Sequence, residues 1–135
     1  MKKLNSLRVL RAALVTFVVT GSITAARADI KDYEFQLVEP MVHTGPDQTI
    51  TVRLVNKTTG KAVPDAIIIA TRLDMAPDGM QEMATKIVAV PGAEAGTYKF
   101  KANVSMAGRW QLSLGAKVQG ESGTLENKLI VTAQK

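Results

Sequence analysis

Five methionines and one histidine are the side chains best equipped for chemistry in this sequence: Met41, Met75, Met80, Met83, Met106 and His43. Thioethers are soft ligands that favour Cu(I), and an imidazole can complete such a set. Zn(II), Ca(II) and Mg(II) instead prefer thiolate-containing or oxygen sites. A Met/His cluster therefore points to copper(I). The chain has no cysteine, which removes disulfides, thiolate zinc sites and thiol nucleophiles in one step. Met80 and Met83 stand three apart in the Pro/Gly/Asp-containing stretch M-A-P-D-G-M-Q-E-M, read as a loop. There core filling is not the automatic role of methionine, and a spacing of three puts two thioethers on one side of a helical turn. Met75 closes an apolar run and is the methionine best suited to a core. The same six residues admit two other readings: a polarizable surface that docks a protein partner, or a Met-rich end of the core.

Catalytic patterns are missing. His43 is the sole histidine, and beyond residue 28 the serines are Ser105, Ser113 and Ser122, none in a nucleophile-elbow setting. The carboxylates are scattered, and no pair has a spacing that predicts acid/base work. Asp74, Asp78 and Glu82 lack the regular alternation of oxygen ligands that a calcium loop needs, so Pro77-Asp78-Gly79 reads as a turn. The expectation is a protein that is not an enzyme.

What must position these residues is a set of short strands, because apolar residues recur with period two between turn signals. Tyr33, Phe35 and Leu37 share a face of a first strand ending at Pro40. Ile50, Val52 and Leu54 share a face of a second, and Ala66 to Met75, through Ile67-Ile68-Ile69, forms a third expected to be buried on both sides. Thr85 to Val90, closed by Pro91-Gly92, is a fourth. Tyr98, Phe100, Ala102 and Val104 line a fifth, and Trp110, Leu112, Leu114 and Ala116 a sixth. Leu125, Leu129 and Val131 line a seventh, whose pattern Asn127 and Ile130 disturb. Seven strands in about a hundred residues predict an all-β, seven-stranded immunoglobulin-like sandwich. Trp110, the only tryptophan, reads as its anchor between the sheets. In that topology the first-to-second, third-to-fourth and fifth-to-sixth connections emerge at one end, which gathers Met41, His43, Met75, Met80, Met83 and Met106 there.

The chain has 135 residues, 46% of them hydrophobic, and a formal charge of +5, a composition that fits one domain. Its surplus of cations sits at the front. Lys2, Lys3, Arg8, Arg11 and Arg27 precede the first acid, Asp29; of the 17 Lys+Arg this leaves 12, against 12 Asp+Glu. A neutral domain offers no footprint for nucleic acid. Residues 1–28 read as a signal peptide: a basic start, the apolar stretch Ala12 to Thr20, and Ala26-Arg27-Ala28 before the expected cleavage. The apolar run is shorter than the ~20 residues that a span needs. The expected product is a periplasmic monomer, residues 29–135, not embedded in a membrane.

Gly96-Thr97-Tyr98-Lys99-Phe100 followed by Met106-Ala107-Gly108-Arg109-Trp110-Gln111-Leu112-Ser113-Leu114 resembles the G-x-Y … M-x-G-x-W-x-L-x-V pattern of the FixH/YtkA-like family of extracytoplasmic β-sandwich domains. The likeness extends loosely through Thr49–Leu54 and Val63-Pro64-Asp65-Ala66. The resemblance implies a role in bacterial copper handling: assembly of copper-containing oxidases for FixH-type members, heavy-metal efflux for YtkA-like ones. Lacking a permanent anchor, the sequence departs from FixH and is closer to a soluble efflux accessory. Its partner would be an efflux complex or another copper-handling membrane protein. The family supplies no ligand set to transfer, so the copper(I) proposal rests on the topology of the six residues.

Overall fold

The structure, a computed structural model, describes residues 29–91 and 94–135. The expected signal peptide and Gly92 of the Pro91-Gly92 turn lie outside the described residues. Among the described residues, no helix is long and apolar enough to cross a membrane.

Among the described residues, nine strands form two sheets: β1 (Tyr33–Leu37), β2 (Met41–His43), β3 (Gly45–Asn56), β4 (Ile67–Met75), β5 (Met80–Thr85), β6 (Ile87–Val90), β7 (Thr97–Val104), β8 (Gly108–Lys117) and β9 (Leu125–Gln134). One sheet runs β1-β3-β7-β6 and the other β2-β9-β8-β4-β5. The first is the A-B-E-D order of an immunoglobulin sandwich, and β9-β8-β4 is its G-F-C order. The all-β immunoglobulin-like architecture therefore holds, with nine strands in place of the expected seven.

Both additional strands arise where the chain changes sheet. Pro40 ends the first strand as expected, but the chain resumes beyond it as β2, which pairs in parallel with β9, Met41 opposite Thr132 and His43 opposite Gln134. A proline at that boundary sacrifices no ladder donor, and its carbonyl accepts the N–H of Thr132 at 2.8 Å. The stretch expected as a Met-bearing loop is largely strand: a 3-10 turn at Ala76–Asp78 reverses the chain, and β5 returns along β4. Lys86 then separates β5 from β6, so the single strand expected over Thr85 to Val90 belongs to both sheets.

The two inner faces interdigitate as the alternation requires. Phe35, Ile50, Val52, Leu54, Phe100 and Val104 come from one sheet; Leu73, Trp110, Leu112, Ala116 and Val131 come from the other. Tyr98 meets Phe35 edge to face, with ring centroids 6.1 Å apart. Trp110 is fully buried and donates its indole N–H to the carbonyl of Met106 at 3.1 Å, the anchor role expected of it. Asn127, which disturbed the seventh strand, turns out to be structural. Its Oδ1 accepts the N–H of Phe35 at 2.8 Å, joining β1 to β9 across the sandwich.

The isoleucine run does not behave as expected. Ile67 and Ile69 are 67% and 52% exposed. β5 pairs with β4 only at Leu73, Asp74 and Met75, so the earlier half of β4 is an open edge rather than the middle of a sheet.

Candidate functional site

All six residues singled out for copper lie at one end of the sandwich, the end where β2 and β9 finish, β8 begins, and β4 turns into β5. They do not form one cluster. β2 and β5 are the opposite edges of the five-stranded sheet, four strand spacings or ~19 Å apart, and Met41 and His43 ride on the first of them. Both are exposed and share that edge with Thr132 and Gln134.

Met75, Met80 and Met83 gather on the β4–β5 side. Met75 and Met80 are direct partners across the two strands. There the ladder slips: Asp74 faces Ala84 while Met75 faces Met80, so Gln81, Glu82 and Met83 bulge out of the pairing. The bulge explains how two methionines three apart in a strand both turn inward. Met80 and Met83 are half-buried and pack on the core, whereas Gln81 and Glu82 face solvent. Met75 is fully buried. Its terminal methyl lies over Gly108, close enough that a Cβ built there would be 2.6 Å from it. Two residues upstream, Met106 sits 39% exposed in the β7–β8 connection.

This corner is braced by carboxylates. Asp78, in the 3-10 turn, accepts the backbone N–H of Arg109 at 2.7 Å and its Nε at 2.9 Å, while the same guanidinium donates to the carbonyl of Pro77 at 2.9 Å. Asp74 is buried, accepting from Arg72 Nε at 2.7 Å and from the backbone N–H of Ala76 at 2.9 Å. Two of the three acids of the once-considered calcium stretch, Asp74 and Asp78, are thus committed to bracing. Among the described residues, no three His, Cys, Asp or Glu side chains group as a metal site. Sequence reasoning took Asp78 for a turn residue and missed its bond to Arg109. The signal was the pairing of a D-G turn with an arginine at a strand start, 31 residues away.

The backbone bond from Arg109, then its guanidinium, hold the Asp78 carboxyl below its ordinary value of 3.8. A lowered folded-state value stabilises the fold above the unfolded value and is lost as pH falls through the folded one. Calorimetry should therefore show a melting temperature that is flat above about pH 5 and declines below about pH 4. Asp78→Asn should make that decline shallower. An unchanged acid limb would mean that Asp78 does not couple the turn to β8.

A second latch closes the opposite end. The Tyr98 hydroxyl donates to the carbonyl of Val63 at 2.7 Å and accepts the N–H of Ala66 at 3.0 Å. Gly96 (φ +84°) packs under Ala62, where a Cβ would come within 2.4 Å of the alanine's own. Burial pushes the Tyr98 phenol above 10.0, against the Ala66 bond, which lowers it. Tyr98→Phe should cost about 2 kcal/mol in urea unfolding, because two part-buried backbone groups lose their partner.

A family model described as YtkA-like matches residues 27–115. The chain belongs to the YtkA-like family. No curated protein matches it. Among solved structures it is similar to the crystal structure of the Lin-41 filamin domain, at 17% identity and a TM-score of 0.46, over 80% of this chain and 95% of that one. It is also similar to the ZirS C-terminal domain, at 14% identity and a TM-score of 0.44, over 83% and 74%. In this YtkA-like domain the residues that carried the resemblance prove to be its two latches. G-x-Y grips Val63-Pro64-Asp65-Ala66, and M-x-G-x-W grips Met75 and Asp78. The pattern thus encodes how the two ends close.

Proposed function

We propose that this YtkA-like domain is a non-enzymatic, periplasmic accessory of heavy-metal efflux that binds or delivers copper(I), with Met80, Met83 and Met106 as ligands and Met75 behind them. The observation that supports this is the pairing of Met75 with Met80, with Met83 in the adjoining bulge and Gly108, two residues from Met106, under the Met75 methyl. Soft donors of β4 and β5 meet there, with Met106 two residues from Gly108 along the chain, and Cu(I) is the ion such donors favour. Half-burial of Met80 and Met83 also suits delivery, because the thioethers sit beside apolar surface that disfavours a hydrated competitor ion.

The test is a Cu(I) titration of residues 29–135 under anaerobic reducing conditions against a competing chelator, following methionine methyl and His43 signals. Met80, Met83 and Met106 should shift together at one equivalent, and Trp110 emission should change because its indole bonds the Met106 carbonyl. Met80→Ala with Met83→Ala should abolish this while the fold persists. A thioether site carries no proton, and His43 lies at the far edge. Affinity should therefore stay flat from about pH 8 to pH 5, and a fall toward acid would count against an all-thioether site. A silent titration would turn the Met-bearing end into a docking surface for a membrane complex.

A further inference from the structure

The open edge of β4 is self-complementary. β8 occupies one side of the strand from Ile67 to Asp74, but on the other side β5 reaches only as far as Leu73, opposite its last residue Thr85. Ile67 to Arg72 thus present backbone to solvent beside the exposed Ile67 and Ile69. Edges of this kind are normally guarded by lysine, proline or a very short strand. Here no proline or lysine occurs between Asp65 and Arg72, and Pro64 marks the near limit.

A second copy can pair antiparallel along this edge in several registers, and two separate features select the same one. The first is charge. Asp65 is exposed and has no ion-pair partner among the described residues, and Arg72 lies at the far end of the edge with its side chain 55% exposed. Placing Asp65 opposite the partner's Arg72 creates two symmetric ion pairs flanking an apolar centre. Arg72 already holds Asp74 through Nε and the Gln81 carbonyl through Nη2, which leaves further N–H groups of the guanidinium free.

The second feature is the bulge. In a regular strand that register would set inward residues against outward ones, because residues 65 and 72 have opposite parity. The pairing of β4 with β8 slips between Ile68 and Ala70, which reverses the parity at that point. Residues 65 and 72 are both exposed, 66 and 71 both half-buried, 67 and 70 both exposed. The register that matches charge therefore also matches faces, with the two bulges meeting at the dyad. Its length fits as well. The partner's Pro64 leaves the ladder at Leu73, the residue already paired with the end of β5.

We propose that two copies of this chain associate through antiparallel β4–β4 pairing, Asp65 opposite the partner's Arg72, and join the two five-stranded sheets. The monomer expected from sequence is then the low-concentration species, because eight paired residues from each chain form a small interface. Sedimentation of residues 29–135 from ~10 μM to ~1 mM brackets the association expected of an interface below about 1,200 Å². The weight-average mass should climb toward twice that of the monomer, and amide exchange at Ile67 to Thr71 should slow in step. Asp65→Arg removes no bond of the monomer and sets arginine against arginine; it should remain monomeric at every concentration with an unchanged melting temperature. Ile67→Lys should do the same. A wild-type chain that stays monomeric overturns the proposal, as does association that Asp65→Arg leaves intact, or β4 amides that stay unprotected in a dimer. Pairing of the edge with a foreign strand while the chain itself remains monomeric also overturns it.

Discussion

Trp110→Ala should cost about 4 kcal/mol of folding stability, the largest loss from any single truncation in this domain. The indole is the largest of the fully buried side chains; it stands beside Val131 of the neighbouring strand on the inner face of the five-stranded sheet. Truncation leaves a cavity that rigid strands on both sides cannot collapse, and it frees the Met106 carbonyl from its only side-chain donor. A domain of this size holds about 5–15 kcal/mol in all, so the variant would stand near the edge of unfolding. Trp110→Phe keeps most of the apolar volume and loses the hydrogen bond, and should cost roughly half as much. Urea unfolding followed by far-UV circular dichroism measures both, since the substitutions remove the fluorescent probe. A loss under about 1 kcal/mol for the alanine variant would show that Trp110 does not anchor the sandwich.

The core was legible because alternation is a direct image of burial. Residues 50, 52 and 54 and residues 110, 112, 114 and 116 alternate without interruption and are all buried. Three things broke the code. Ile67-Ile68-Ile69 read as doubly buried because β-branched runs suit central strands, yet composition does not say whether a neighbouring strand reaches that far, and β5 does not. The Met-bearing stretch read as a loop because Pro77, Asp78 and Gly79 dominate it. Those residues turn the chain, but the strand after them is held by pairing to Leu73, Asp74 and Met75, a long-range fact. Asn127 read as an interruption because a polar residue at an inward position needs a partner, and its partner is a backbone group 92 residues away.

The candidate site was legible at the level of topology and no further. Counting strands up and down places Met41, His43, Met75, Met80, Met83 and Met106 at one end, which needs only the alternation of directions. Which of them can meet depends on sheet order, and order is set by where the chain crosses between layers. Two such crossings, at Pro40 and Lys86, send β2 and β5 to opposite edges of one sheet. They divide the six residues into an exposed His43–Met41 edge, a corner built on Met75, Met80 and Met83, and Met106 in the connection before β8. Neither crossing has a periodic signature, so neither could be read from spacing.

Gly108→Ala should cost about 3 kcal/mol and do so at the corner that carries the thioethers. Gly108 has φ +142°, a conformation that L side chains rarely adopt, and its Cβ would fall 2.6 Å from Met75 Cε and 2.7 Å from Asp78 Oδ2. Neither neighbour yields cheaply. Met75 is fully buried in the core, and Asp78 is pinned by two bonds from Arg109. The steric share can be separated from the backbone share by a double-mutant cycle. In a Met75→Ala background the methyl is gone, and the penalty of Gly108→Ala should shrink by about 1 kcal/mol, the remainder being strain at φ. Identical penalties in the two backgrounds would remove the contact between Met75 and Gly108 from the account. The same substitution displaces the methyl of Met75 and the start of the strand that follows Met106. If the thioethers bind copper(I) as a set, affinity should fall in Gly108→Ala though every ligand is retained, while Ser113→Ala, further along β8 between Arg72 and Lys128, should leave it unchanged.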